Sequence, residues 1–284
     1  MTGIDSLQAD SREYAKLYCE RDMREIELQP FCGGMAAVFS MSSPGSSGVN
    51  EDCAALLPFD ETSGALVVAD GAGGLRGGAQ ASNITVESLR DTLEQAVKTN
   101  ENLREAILGG IELANRSIDG LSIGAASTVA VAEIHDTRLR TYHAGDSQIM
   151  ILGAGGVLKF LTVSHSPMGY AVQMGLLDER QAIVHEDRHL LFNVVGLSDM
   201  HIEMGMEVEL EIGDTVLIAC DGLFDNLIVS EVAEFFREGP LGNCTKNLIE
   251  ACLKRMSGVD ESQPAKPDDL TILVFRFGES TPGR

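Results

Sequence analysis

Leu66-Val67-Val68-Ala69 runs without a polar break into Asp70-Gly71-Ala72-Gly73-Gly74, and Thr215-Val216-Leu217-Ile218-Ala219-Cys220 runs likewise into Asp221-Gly222. A short apolar run stopped by glycine predicts a buried strand, so each run delivers an aspartate where core gives way to loop. One such Asp-Gly pair reads as a turn; its recurrence points to one shared site. Further strands are predicted over Gly34–Met41, Cys53–Leu57 and Leu270–Phe275. Ser127–Ile134, Arg138–Ala144 and Gln148–Leu152, joined by short turns, read as an antiparallel meander whose second turn, Gly145-Asp146-Ser147, exposes another acid. Gly153-Ala154-Gly155-Gly156 reads as a hairpin tip, because it does not open a helix.

Helical spacing of apolar residues appears from Gln80 to Lys98, through Ile84, Leu89, Leu93 and Val97, and again from Leu103 to Ile118. These predict two amphipathic helices packed on a sheet. Ser230 reads as the N-cap of a helix carrying Val232, Phe235 and Phe236, and Leu248, Ile249, Cys252 and Leu253 mark another. Residues 1–32 read as a polar leader with a helix over Ser11–Arg24, ending at Pro30. From Ser164 to about Gly196 the pattern loosens into an inserted flap with a short helix over Met168–Leu177.

At 284 residues and 44% hydrophobic, the chain can bury a large core. Its net charge of -22 repels nucleic acid and anionic membranes, and neither is expected as a partner. Cys19, Cys32, Cys53, Cys220, Cys244 and Cys252 form no C-x-x-C pair, against a disulfide framework or a structural zinc site. Cys53 and Cys220 read as small buried side chains. An acidic start with Asp5, Asp10, Glu13 and Glu20 argues against a secretory signal, and no run reaches membrane-spanning length; a reducing cytoplasm is the expected setting.

Acids then collect at strand ends: Glu51, Asp52, Asp70, Asp146, Asp221 and Asp268 or Asp269. Carboxylate oxygens select Mg2+ or Mn2+ over zinc, and such charges repel one another without cations. A paired divalent site follows, its ions about 3.5–4 Å apart, able to activate water and clamp a phosphate. Neighbouring strand residues point to opposite faces, so Glu51 and Asp52 do not both bind one ion directly unless the backbone turns; one serves through water. His165, His185 and His189 read as surface or hydrogen-bonded groups rather than ligands.

In order, Asn50-Glu51-Asp52, Asp70-Gly71-Ala72-Gly73-Gly74, Ala126-Ser127-Thr128, Gly145-Asp146-Ser147, Leu161-Thr162 with His165-Ser166, Asn193 to Gly196, Asp221-Gly222-Leu223-Phe224-Asp225 and Asp268-Asp269-Leu270-Thr271 make the chain resemble a known family. It is similar to the metal-dependent PP2C-type (PPM) serine/threonine protein phosphatases, the smaller bacterial members in particular, over about Gly34 to Gly278. The resemblance implies an α+β fold, a four-layer α-β-β-α sandwich with two central antiparallel sheets flanked by helices. The phosphatase domain would span 33–278, between an N-terminal extension over 1–32 and a tail over 279–284.

The resemblance also implies hydrolysis of phosphoserine and phosphothreonine in a phosphorylated protein substrate, by a hydroxide bridging two Mn2+ or Mg2+ ions, with a third, weaker ion in bacterial relatives. By it, Asp70 is the bridging ligand, the Gly71 carbonyl lies on one ion, and Asp221 and Asp268 are ligands of the pair. Asp70 and Asp221 thereby carry the catalysis. Glu51 and Asp52 match the acidic pair that binds directly or through water, and Asp146 the acid of the third ion. Asp269 stands where the family usually has Asn. Ala72 replaces a histidine proposed as general acid in many relatives, leaving that protonation to water, and Ser47 replaces an Arg that often binds substrate phosphate. Arg76, beyond Gly74 in the same loop, is the candidate to supply that guanidinium. The alternatives are a non-catalytic PP2C-like regulatory module and a phosphatase of a small phosphorylated metabolite.

Overall fold

The longest strands carry apolar residues at consecutive rather than alternate positions because both of their faces are covered. In strand β5 (Ser63–Asp70), Leu66 and Val68 pack into one core while Ala65, Val67 and Ala69 pack into another. The computed structural model, which describes residues 15–72, 77–259 and 263–280, resolves these cores into layers.

Among the described residues, one antiparallel sheet runs in the order β1 (Lys16–Cys19), β4 (Asp52–Pro58), β5, β6 (Val129–His135), β7 (Arg138–Ala144) and β10 (Glu203–Met204), with β11 (Val208–Glu209) also on β7. The other runs β2 (Glu27–Phe31), β3 (Gly34–Met41), β13 (Leu270–Phe277), β12 (Thr215–Ala219), β8 (Gln148–Gly153) and β9 (Val157–Leu161). The sheets face each other through Leu56, Leu66, Val68 and Ile134 on one side and Val38, Ile151, Ile218 and Phe275 on the other. Helices α1 (Gly78–Thr99) and α2 (Leu103–Leu121) cover the first sheet with Leu89, Leu93, Ile107 and Ile111. Helix α7 (Leu241–Met256) covers the second with Leu248, Ile249 and Cys252. Each such side chain contributes roughly 1.5–3 kcal/mol by leaving water. This is the expected α-β-β-α sandwich.

Several local expectations are corrected. The polar leader supplies an outer strand to each sheet, since β1 pairs with β4 and β2 with β3. Of the helix expected over Ser11–Arg24, residues 11–14 lie outside the described residues, and Lys16–Cys19 is strand: pairing, with Tyr18 buried between the sheets, outweighs local helical preference. Cys19 stands directly across from Cys53, 34 residues away in sequence, and the two are joined as a disulfide, a pairing that spacing along the chain does not reveal.

The three-stranded meander does not form. β6 pairs with β7, but β8 crosses to the second sheet and pairs with β12. The crossing needs Gly145, whose φ is +112° and whose missing Cβ would lie 2.7 Å from Thr128 Cβ. In the flap, Ser166 caps α3 (Pro167–Gln173) by accepting the Gly169 N–H at 2.9 Å, and an unforeseen α4 (Glu179–Ile183) follows Asp178, which caps it. Ser230 lies inside α6 (Val229–Glu234) rather than capping it; Glu231 instead accepts the Ile228 N–H at 3.1 Å. Among the described residues no helix is long and apolar enough to cross a membrane.

Candidate metal centre

Pairing brings the acidic strand ends to one rim of the sandwich. Asp52 opens β4 directly opposite Asp70, which closes β5. Asp146 follows the Gly145 crossing, Asp221 begins the short helix α5 (Asp221–Phe224) after β12, and Asp268 precedes β13. The Asp70 backbone is clamped: its N–H donates to Thr128 Oγ1 at 3.0 Å, and its carbonyl accepts from Thr128 N–H at 2.8 Å and Ser127 Oγ at 3.1 Å. Its carboxylate is thus aimed by bonds it does not itself make. Gly71 is buried with the Gly78 backbone pressed against it, leaving no room for a side chain.

The adjacent acids divide their work as strand geometry dictates. Asp52 is 1% exposed, and its Oδ2 has no hydrogen-bond partner. Glu51 turns its carboxylate over Gly78 at the start of α1, while its carbonyl accepts from Gly71 N–H at 3.1 Å and Ser82 Oγ at 2.5 Å. Asp269 is occupied by loop backbone, accepting the Ser43 and Glu51 N–H groups at 2.7 Å each. Asp268 is left facing Lys266 at 3.0 Å.

Burial and mutual repulsion hold these acids far from their ordinary state. Burial pushes Asp52 up to about 8, with Asp269 and Asp221 adding to it, and Asp146 to about 8, with Asp221 and Asp225 adding. Asp70 is raised well above the carboxylate range by burial and by the charges of Asp52, Asp221 and Asp146. The orphaned buried oxygen of Asp52, among the mutually repelling charges of Asp70, Asp146 and Asp221, fits hard divalent cations.

A pH effect follows. In the metal-free chain, folded Asp52 and Asp146 hold protons between pH about 4 and about 8 that the unfolded chain has released, so folding stability falls as pH rises through that window. Thermal unfolding should show Tm dropping across it in chelator and a weakened trend in saturating Mn2+.

Cys220 lies among the same groups, accepting the Thr271 N–H at 3.2 Å. Burial and the charges of Asp52, Asp70 and Asp221 push its thiol well above the usual range, so it remains a protonated, unreactive thiol. His165 sits elsewhere, stacked on His143 at 4.4 Å and facing Glu203 at 3.1 Å. Although His143, His165 and Glu203 are close enough to suggest a metal site, His165 Nδ1 accepts from Gly145 N–H at 3.2 Å and from Asn193 Nδ2 at 2.8 Å. That places the ring proton on Nε2, toward Glu203, and leaves no lone pair there for an ion. His165 instead braces Gly145, beside Asp146. His185 pairs with Asp187 at the surface, and His189 is exposed. Ser47 lies in an exposed loop, and Arg76 lies outside the described residues.

Lys266 and Asp225 were not singled out from sequence. Lys266 Nζ stands 2.5 Å from Asp221, 2.8 Å from Asp225 and 3.0 Å from Asp268. The available signal was a lone lysine beside Pro267-Asp268-Asp269 on a very acidic chain.

The family model for protein phosphatase 2C matches residues 45–255. The chain belongs to this family. It is 28% identical over 192 residues to the protein phosphatase PhpP of Streptococcus pneumoniae, covering 65% of this chain and 77% of that protein. The serine/threonine phosphatase of S. agalactiae superposes with a TM-score of 0.69 at 22% identity, over 93% of this chain and 99% of that one. The catalytic domain of the serine/threonine protein phosphatase PstP, in complex with two manganese ions, superposes with a TM-score of 0.62 at 22% identity, over 85% and 96% of the two chains. At those identities the two solved structures speak for the fold; membership of the phosphatase 2C family rests on the match over residues 45–255.

Proposed function

We propose that this phosphatase 2C chain hydrolyses phosphoserine and phosphothreonine in proteins, using two Mn2+ or Mg2+ ions held by Asp70, Asp221, Asp268, Asp52 and the Gly71 carbonyl. Glu51 acts on them through water. The observation that carries this reading is the convergence of carboxylates from separate strand ends, of which Asp52, Asp70, Asp146 and Asp268 are raised by burial and by neighbouring acids. A non-catalytic module has no use for so costly a cluster. When bound, such ions lower the pKa of water and neutralise phosphoryl oxygens for in-line displacement.

The chain's own part is positioning. Ser127 and Thr128 fix the Asp70 backbone, and Asp269 fixes the Glu51 loop, so the carboxylates need not reorganise during reaction. Ala72 offers no proton, so the departing serine or threonine oxygen takes its proton from water. Beside the rim a groove opens between Asp146 and the flap, lined by Ser164, Met168, Val172 and Arg188, where residues flanking a phosphorylated side chain can lie. The relatives' names and the two-manganese PstP complex support the substrate class and the metals.

Phosphoserine, phosphothreonine and phosphotyrosine peptides should be assayed beside p-nitrophenyl phosphate in Mn2+. The first two are expected to exceed the others in kcat/KM by roughly tenfold or more. Turnover confined to small esters would overturn the protein-substrate assignment.

A further inference from the structure

Lys266 puts a cation of the chain's own inside the ring of carboxylates. Its ammonium contacts Asp221, Asp225 and Asp268 together, at 2.5, 2.8 and 3.0 Å, and its side chain is only 21% exposed. The contact is built into the backbone. Asn226, fully buried, accepts the Lys266 N–H through Oδ1 at 3.0 Å, and through Nδ2 donates to the Lys266 carbonyl at 2.8 Å and the Gly222 carbonyl at 2.9 Å. The lysine stem is therefore tied to the turn that carries Asp221 and Asp225, and Pro267 restrains the backbone that follows.

Asp146 feels the same charges: Asp221 and Asp225 disfavour its ionisation, and Lys266 offsets them. The Arg188 guanidinium is a second cation approaching Asp225, at 3.7 Å. Of the carboxylates Lys266 touches, Asp225 is the one outside the paired-ion set, and its Oδ2 already holds the ammonium at 2.8 Å, so a further divalent ion shared between Asp225 and Asp146 would meet a like charge in a partly desolvated site.

We propose that Lys266 is a resident cation that takes the place of the third, weaker ion beside Asp146, Asp221 and Asp225, so that this chain loads two metal ions and rejects a third. The inference rests on the metal-centre reading above. Lys266 supplies half the charge of a divalent ion, cannot be lost to chelators, and spares Asp225 an unpaired burial.

The test is the number of Mn2+ ions bound by chelator-stripped chain, counted from the free-ion signal in electron paramagnetic resonance at one fixed pH. Wild type should bind two ions. Lys266→Met should bind a third, with a Kd at least about tenfold tighter than any third-ion binding in wild type, and Lys266→Arg, which keeps the charge, should stay at two. The same count and affinities in wild type and Lys266→Met would overturn the proposal. No Mn2+ binding by wild type would instead overturn the metal-centre reading. Thermal unfolding gives a readout that does not depend on the Met variant: Lys266→Gln should melt below wild type in chelator and gain more in Tm from Mn2+ than wild type does. An equal gain in both would also overturn the proposal.

Discussion

Asp70→Asn should lose kcat by about a thousandfold or more while keeping its fold. The side chain keeps its volume, and the bonds that hold residue 70 in place come from its backbone to Ser127 and Thr128, which the substitution leaves alone. What disappears is one charge from a cluster in which Asp52, Asp221 and Asp146 all disfavour its ionisation. Without metal the variant should therefore melt at or above the wild-type temperature, because the amide is neutral in folded and unfolded chain alike and is spared the protonation that burial imposes on Asp70. Lost activity with undiminished stability marks a residue kept for chemistry at the cost of stability. A large fall in Tm alongside the fall in kcat would mark Asp70 as structural instead.

Excess EDTA should abolish turnover and lower Tm together, with Mn2+ or Mg2+ restoring both. The activity follows from the hard oxygen donors, the stability from mass action: ions that bind only the folded chain stabilise it by about 2.7 kcal/mol at a hundredfold excess over Kd. Zinc should not serve as the sole restoring ion, since the proposed ligands are carboxylate and carbonyl oxygens, which suit Mg2+ and Mn2+. Undiminished turnover in chelator, with phosphatase activity intact, would remove the metals from the mechanism.

Asp70 and Asp221 were legible because each ends an apolar run, and a run that ends in Asp-Gly announces both a strand and its open end. Strand β3 was likewise legible to its termini, Gly34 and Met41, since burial on both faces leaves Ser40 its one polar side chain. Sheet membership was not. Gly145-Asp146-Ser147 has the composition of a hairpin turn, and only the pairing of Ile149 and Ile151 with Ile218 and Val216 draws β8 into the second sheet. The short edge strands escaped notice for a similar reason: Lys16–Cys19 becomes a strand by pairing with β4. Lys266 was hidden because its loop, Gln263-Pro264-Ala265-Lys266-Pro267, has the composition of a solvated turn. Its role depends on Asn226 and Asp225, 40 and 41 residues away.

Titration calorimetry of Mn2+ into chelator-stripped wild type and Asp70→Asn tests most directly whether the strand-end carboxylates form a paired metal centre bridged by Asp70. Wild type should take up two ions tightly, and Asp70→Asn should lose tight binding of the pair. Two ions bound equally tightly by both proteins, or none by wild type, would contradict that centre.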